Sequence, residues 1–249
     1  MRRLLMAGTI LLVMTSAAMA QTHVMNDPEL AGAQKAMDAG QTAEALALFE
    51  EAAAEGDSTA MEHIAQIYLS GGNGVSQDYH AALHWAQKAA DAGKGRGNLL
   101  VGQIWMNGWG VAVDLDKALD HFHQARALGD IKAGRYVGLI AQKRGDDIAA
   151  AKSFLKAAEA GDITSQFYIG RAYEWGTGVS IDYAKAMEWY TKSASRGDII
   201  ASDGMVGLAG LYETGKGISK DFERAVALYR QAAELGNVKA AEALLRLGL

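Results

Sequence analysis

The sequence predicts an all-α fold: a right-handed α/α superhelix (solenoid) of about six helix–turn–helix repeats followed by a C-terminal capping helix. Two recurring glycine patterns and the single proline, Pro28, predict this architecture. The glycine that ends each unit recurs at intervals of 37, 36, 32, 36 and 39 residues. Periods of roughly 20–50 residues are typical of solenoids, in which each unit packs only on its neighbours. The recurring positions are Gly56, Gly93, Gly129, Gly161, Gly197 and Gly236.

A second pattern lies in the middle of four units. Two glycines one residue apart, which tolerate the backbone conformation of a helix end or tight turn, separate two amphipathic segments. An aspartate follows four residues after the second glycine, where it can cap the next helix, and an alanine comes four residues later. The loops begin at Gly72, Gly108, Gly176 and Gly215, the aspartates are Asp78, Asp114, Asp182 and Asp221, and the alanines are Ala82, Ala118, Ala186 and Ala225.

Together these residues form the pattern Ala-x3-Leu-Gly-x2-Tyr-x2-Gly-x-Gly-Val-x3-Asp-x3-Ala-x2-Trp-Tyr-x3-Ala-x2-Gly. This pattern resembles the Sel-one-like repeat, a relative of the tetratricopeptide repeat. The match is best over Ser165 to Gly197, followed by Ala60 to Gly93 and Gly97 to Gly129. The resemblance implies an adaptor that holds a partner protein, with no catalytic site and no cofactor.

The pattern divides the chain into a leader, a short linker and one repeat domain. Residues 1–20 are predicted to be a signal peptide, with Arg2 and Arg3 before an apolar stretch and Ala18-Met19-Ala20 as the cleavage site. Residues 21–27 are polar and predicted to be disordered. The solenoid is predicted to span 28–249, with units at 28–56, 60–93, 97–129, 133–161, 165–197 and 201–236 and a cap at 238–249.

Composition excludes several function classes. Cleavage would remove Arg2 and Arg3 and take the formal charge from −5 to −7, whereas nucleic-acid binding needs a basic surface. The same acidity disfavours docking on anionic lipid, and we expect no membrane insertion after cleavage. The chain has no cysteine, so neither a disulfide framework nor a lipid anchor at the cleavage site is expected. The predicted location is the periplasm or the exterior.

Unit four differs from its neighbours. Its helices are joined by only Gly145-Asp146-Asp147 instead of a double-glycine loop. Neutral drift accounts for the shorter turn, and a local change of curvature that shapes a binding groove is the alternative.

Four histidines invite a metal-site interpretation. His80 and His84 have the four-residue spacing of helical metal ligands, but no third ligand lies nearby and the repeat register favours an exposed face. His121 matches Trp85 and Trp189, which predicts a packed histidine, and His123 is predicted to face solvent. We predict no metal site.

Two short motifs resemble catalytic signatures. Ser153-Phe154-Leu155-Lys156 matches the Ser-x-x-Lys of serine β-lactamases, but the accompanying motifs are missing. Gly210-x4-Gly215-Lys216 is one residue short of a phosphate-binding loop, because Gly217 replaces the required Ser or Thr. Both are interpreted as chance matches within the repeat.

The remaining candidate surface is the outward side of the first helices, which lines the concave face in tetratricopeptide-like solenoids. Its mixture of apolar, aromatic and arginine side chains is typical of interface hot spots. By contrast, Trp105 occupies the repeat position that holds Tyr68 and Tyr173 in other units, and its side chain is predicted to lie in the core. The partner-binding candidates are Gln66, Leu69, Leu99, Gln103, Met106, Trp109, Arg135, Leu139, Phe167, Arg171, Glu174 and Glu213.

The sequence therefore predicts an exported, non-enzymatic protein-interaction scaffold, in the form of a periplasmic regulator that binds the external domain of a membrane sensor or an envelope complex. Two alternatives remain: a secreted host-interaction factor, and, from a different class, an envelope hydrolase that acts on β-lactams or peptidoglycan.

Overall fold

A computed structural model describes residues 28–249 of the protein. The predicted signal peptide and the polar segment 21–27 lie outside the described residues. Within residues 28–249 the structure consists of thirteen α-helices and one 3₁₀ turn, and it forms no strand beyond a single bridge between Gly72 and Val75. None of these helices combines the length and the apolar character that a membrane span requires.

The chain divides into two compact units at Ala89–Ala90. The first unit contains α1 (Pro28–Asp38), α2 (Thr42–Ala54) and α3 (Ser58–Ser70), and α4 (Tyr79–Asp91) runs across the division. Helix α1 packs on α2, and α2 packs on α3. Their apolar faces meet around Phe49 and Ile64, against which Trp85 of α4 also packs. Each helix is short, so this burial rather than helix propensity holds it in place.

The second unit repeats the same pairing four times and ends with a single helix. Each helix packs on the next one along the chain, as expected for stacked helix–turn–helix repeats. The prediction of an all-α repeat fold is confirmed. Its elements are α5 (Gly95–Asn107), α6 (Leu115–Ala127), α7 (Ala133–Lys143), α8 (Asp147–Glu159), α9 (Ile163–Trp175), α10 (Tyr183–Ala194), the 3₁₀ turn Ile199–Ala201, α11 (Ser202–Thr214), α12 (Phe222–Glu234) and α13 (Val238–Arg246).

The recurring glycines and aspartates end and begin the helices as predicted, except that Gly71 rather than Gly72 ends α3. Gly176 ends α9 with φ of 70°, a left-handed conformation that favours glycine, and its N–H is bonded to the carbonyl of Ala172. Asp182 then caps α10 by accepting a hydrogen bond of 3.0 Å from the backbone N–H of Lys185, which lowers the pKa of its carboxyl. Unit four instead closes with a tight turn, in which the N–H of Gly145 donates to the carbonyl of Gln142.

Glycine also sets the distance between the helices of a pair. At one position of three first helices, an aromatic ring of the following helix lies where a side chain would be. A Cβ atom at Gly170 would lie 2.8 Å from Cδ1 of Tyr190, inside van der Waals contact. These close approaches involve the aromatic rings that are fully buried in the second unit, and the pairs are Gly102 with Phe122, Gly138 with Phe154, and Gly170 with Tyr190.

Candidate functional site

The first helices of the second unit are connected one to the next by polar contacts. The side-chain amide of Gln103 on α5 donates to the hydroxyl of Tyr136 on α7. Arg135 on α7 pairs with Asp162 at the start of α9, at 3.1 Å. These two contacts connect three successive repeats along the side that the sequence predicts to bind partners.

Arg135 and Asp162 form the most buried ion pair in the described chain. Their side chains are 16% and 5% exposed, and the same carboxylate caps α9 by accepting 2.7 Å from the backbone N–H of Ser165. The Arg135 guanidinium also lies 5.1 Å from the centre of the Tyr136 ring. Arg135 was a partner-binding candidate, but its charge is already compensated within the protein.

Glu174 and Glu213 occupy the same position of α9 and α11 and make the same contacts. Each accepts a hydrogen bond from a tyrosine hydroxyl of the following helix, Tyr190 at 2.8 Å and Tyr229 at 2.9 Å. Each also pairs with a cation from the next repeat: Glu174 with Lys216, at 3.2 Å, and Glu213 with the terminal helix. Both carboxylates thus connect one repeat to the next.

The Glu213 contact has consequences for its charge. The Nη1 and Nη2 atoms of Arg246 each donate a hydrogen bond of 2.8 Å to the Glu213 carboxylate. These bonds, together with the one from the Tyr229 hydroxyl, hold the pKa of Glu213 below its usual value. Burial and the adjacent carboxylate raise the pKa of Tyr229 above its normal range. The tyrosine therefore stays protonated and acts as a donor.

The predicted exposure of Leu69 and Leu99 is wrong. The two side chains are only 8% and 6% exposed. A first helix inside a repeat array has neighbours on two sides, so a second stripe of its surface is covered as well. On α5 this stripe includes Leu99, which packs in a cluster with Phe122, Ala133 and Ile140.

Several other candidates lie partly buried at the edges of the helix pairs. Met106 packs against the Phe122 cluster, and Leu139 packs against the cluster that contains Phe154. Trp105, predicted to be core, lies at the edge of the Phe122 cluster with the ammonium of Lys117 4.2 Å from its ring centre. Gln66 on α3 donates to the hydroxyl of Ser70, and Trp109 is half-buried in the loop after α5.

One stripe of α9 combines two of the predicted candidates with an exposed tryptophan. Phe167, Arg171 and Trp175 follow one another at four-residue spacing, so they lie on one side of the helix. Phe167 is half-buried, Arg171 is exposed and Trp175 is 64% exposed. We call these three residues the α9 stripe. Trp175 is not among the partner-binding candidates predicted from the sequence.

Cations surround the α9 stripe. The Arg171 guanidinium lies 5.9 Å from the ring centre of Phe167 and has no carboxylate partner among residues 28–249. The ammonium of Lys216 lies 4.4 Å from the Trp175 ring, and that of Lys239 lies 5.7 Å from the Phe167 ring. Both lysines are paired with carboxylates, so Arg171 carries the uncompensated charge of this surface.

The histidines lie as the register predicts. His80, His84 and His123 are exposed. His121 is half-buried with Nδ1 3.0 Å from Oδ1 of Asn98, and burial lowers the pKa of its imidazole. Within the described part of the chain, no three His, Asp or Glu side chains are grouped to hold a metal ion.

The two catalytic-like motifs serve the fold. The hydroxyl of Ser153 donates to the backbone carbonyl of Ala149 at 2.8 Å, a contact within its own helix. Gly215 ends α11, and the Lys216 ammonium is bound to Glu174. Ser153 and Lys156 nevertheless line a pocket between α6, α7 and α8 that the sequence reasoning missed.

Comparison with known proteins assigns the family. The Sel1 repeat model matches residues 39–57, 58–94, 96–130, 133–162, 163–198 and 202–237. The chain belongs to the Sel1 repeat family. A Sel1 repeat protein of Oxalobacter formigenes has a similar solved structure, with 31% identity, coverage of 85% of this chain and 86% of its own, and a TM-score of 0.74.

Two further similar proteins are matched over a smaller part of their own length. A protective antigen of uropathogenic Escherichia coli strains, with the same repeat fold, is 26% identical over 90% of this chain and 56% of its own, with a TM-score of 0.54. DAP3-binding cell death enhancer 1 of Rattus norvegicus is 33% identical over 54% of this chain and 34% of its own length. The chain spans about one third of the curated relatives it matches first. Sel1 repeat proteins serve as protein-interaction scaffolds.

Proposed function

We propose that this Sel1 repeat protein is an exported scaffold, a periplasmic regulator that binds a partner protein through the groove formed by its first helices. The α9 stripe is the observation that carries the proposal. An aromatic residue that is 64% exposed, beside an arginine without a carboxylate partner in residues 28–249, has the composition of an interface hot spot. The packing of the repeats and the capping of their helices do not explain why Arg171 and Trp175 are exposed.

The charge of the stripe defines the partner surface. The Arg171 guanidinium lies beside the rings of Phe167 and Tyr168, whose faces attract a cation. This contact leaves the N–H donors of the guanidinium available to a partner. A carboxylate of the partner would pair with the Arg171 guanidinium, and an apolar side chain would cover Trp175. The proposed partner surface therefore places a carboxylate near an apolar side chain, and its proposed source is the external domain of a membrane sensor or an envelope complex.

Export rests on the leader at residues 1–20. A charged start, a short apolar stretch and an Ala-x-Ala site are the features that a signal peptidase recognises. Cell fractionation with N-terminal sequencing tests this step, and we expect a periplasmic protein that begins at Gln21. A cytoplasmic protein that retains Met1 would contradict it.

The scaffold has no catalytic role in this proposal. The Ser153 hydroxyl, the one candidate nucleophile, is bonded to a backbone carbonyl. We expect no hydrolysis of a reporter β-lactam, and hydrolysis that disappears in Ser153→Ala would favour the envelope hydrolase instead.

The interaction is tested by capture from the envelope fraction of the source organism. The bait is the full-length sequence with a C-terminal tag, expressed in its own cells. A double variant, Arg171→Glu with Trp175→Ala, removes the two exposed residues of the stripe and spares half-buried Phe167. Lys152→Ala, an exposed change on α8, is the matched control.

We expect one protein that is captured by the wild type and the control but lost with the double variant. Circular dichroism must show equal helix content for all three baits. Equal capture by the double variant would refute the stripe as the binding surface. Capture only from culture supernatant or host material would favour the secreted alternative.

A further inference from the structure

A lysine and a tryptophan recur as a stacked pair on the second helices. Lys88 and Lys192 each lie five residues before the glycine that ends the unit, and Trp85 and Trp189 lie eight before it. Each ammonium lies over the indole of its own helix, at 4.5 Å from the ring centre for Lys88 and 4.3 Å for Lys192. These are cation–π contacts between residues one helical turn apart.

Unit four keeps the lysine and lacks the aromatic ring. Lys156 lies five residues before Gly161, but the position eight before it holds Ser153. The facing position on the first helix is also reduced, because Gly134 stands where other units have larger side chains. Those side chains are Met61, Asn98, Gln166 and, after the three-residue insertion of unit six, Met205.

The two small residues leave a pocket of about 220 Å³ between α6, α7 and α8. Gly134 and Ala157 form its inner surface with Ser153, and Lys156 lies at its edge. In unit five the corresponding space is filled, since Trp189 packs against the cluster of α8 and α9 and Gln166 reaches the carbonyl of Ala158. The pocket therefore has the place, and part of the surroundings, of a tryptophan side chain.

The edge of the pocket is cationic. Lys156 has no carboxylate partner among residues 28–249, and the Arg126 guanidinium contacts only the ring of His123 there. Asp130 also lines the pocket, and its carboxylate accepts a hydrogen bond of 2.8 Å from the backbone N–H of Lys132, the residue before α7. The volume is below the roughly 300–1,000 Å³ typical of sites for drug-sized ligands. A single side chain fits these dimensions better than a larger molecule.

We propose that this pocket receives an aromatic side chain of the partner protein, which lies beside Ser153 and stacks on Lys156. The inference rests on the proposed scaffold function and adds a second anchoring point on the second-helix side of unit four. The partner contributes the ring that Trp85 and Trp189 supply within their own units.

The test uses N-acetyl-tryptophanamide as the probe and amide chemical shifts of the purified full-length protein as the readout. We expect saturable shifts at Gly129, Gly134 and Ser153, and N-acetyl-leucinamide should bind at least several-fold more weakly because it has no π face. Ser153→Trp supplies the missing ring from within the chain and should weaken probe binding more than tenfold. Ser153→Ala keeps the pocket open and is its matched control.

Lys156→Gln is a second variant that does not depend on fitting a large side chain into the core. It should weaken the tryptophan probe several-fold while leaving the leucine probe unchanged. Absence of saturable shifts, or equal binding by wild type and Ser153→Trp, would overturn the inference. Because the probe is a free amino-acid derivative, its failure would not affect the α9-stripe test, and failure of capture would not affect this one.

A captured partner extends the test. Its affinity should fall at least tenfold for Ser153→Trp and stay unchanged for Ser153→Ala. Unchanged affinity for Ser153→Trp would overturn the assignment of a partner side chain as the occupant.

Discussion

Replacing Gly170 by alanine tests the close approach of the two helices within a repeat. In Gly170→Ala the added Cβ atom would lie 2.8 and 2.9 Å from two ring carbons of Tyr190. The ring is 1% exposed and its hydroxyl is bonded to Glu174, so it cannot move aside freely. Overpacking of this kind costs about 1–3 kcal/mol, against a gain of about 1 kcal/mol from replacing glycine within a helix. We expect a net loss of up to about 2 kcal/mol.

Gly210→Ala is the matched control, because Gly210 is also inside a first helix but has its nearest contact, the Tyr229 hydroxyl, at 3.8 Å. This control should gain up to about 1 kcal/mol. For a domain of this size a loss of up to about 2 kcal/mol lowers the melting temperature of Gly170→Ala by up to about 8 °C. Thermal unfolding followed by circular dichroism measures both variants. A Gly170→Ala protein as stable as Gly210→Ala would refute the close helix approach.

Two further predictions concern the polar contacts between repeats. Arg135→Ala should lower the free energy of unfolding by about 3 kcal/mol, because it leaves Asp162 buried without its cation. The control Arg144→Ala breaks an exposed ion pair and should change the free energy of unfolding by less than about 1 kcal/mol. Urea titration measures both variants, and equal losses would contradict the buried-pair assignment. The lowered pKa of Glu213 stabilises the fold above the unfolded value of about 4.3, and this contribution is lost as the pH falls through the lower folded value. Between pH 7 and pH 3 the melting temperature of Glu213→Gln should therefore fall less steeply than that of the wild type. Glu223→Gln, a change at an exposed site, is the control and should behave as the wild type does. An identical dependence of the melting temperature on pH in all three proteins would refute the contribution of Glu213.

Periodicity made the fold predictable from the sequence. Glycine spacing and the aspartate four residues after each loop locate the helix ends, because both act through local backbone chemistry. Exposure on the first helices was less predictable. Leu69 and Leu99 are both buried, and Leu99 packs with Phe122 and Ile140, which are distant in sequence. A single helical register indicates only one buried face.

The pocket in unit four shows a second limit of sequence reasoning. In the sequence, Ser153 is part of a motif that resembles a catalytic signature. In the structure, its small side chain leaves space at a position where other units have an aromatic ring. Its effect depends on Gly134, on a different helix, being small as well. Aligning all units position by position could have revealed the missing aromatic ring, since Trp85, His121 and Trp189 occupy that slot elsewhere.

The measurement that tests the central claim most directly is the affinity of the captured partner, purified and titrated by calorimetry. The claim is that the α9 stripe binds it. Loss of a hot-spot tryptophan and arginine costs at least about 2 kcal/mol, so Arg171→Glu with Trp175→Ala should weaken binding about 30-fold or more. Lys152→Ala should bind as the wild type does. Equal affinities for all three proteins would contradict the account.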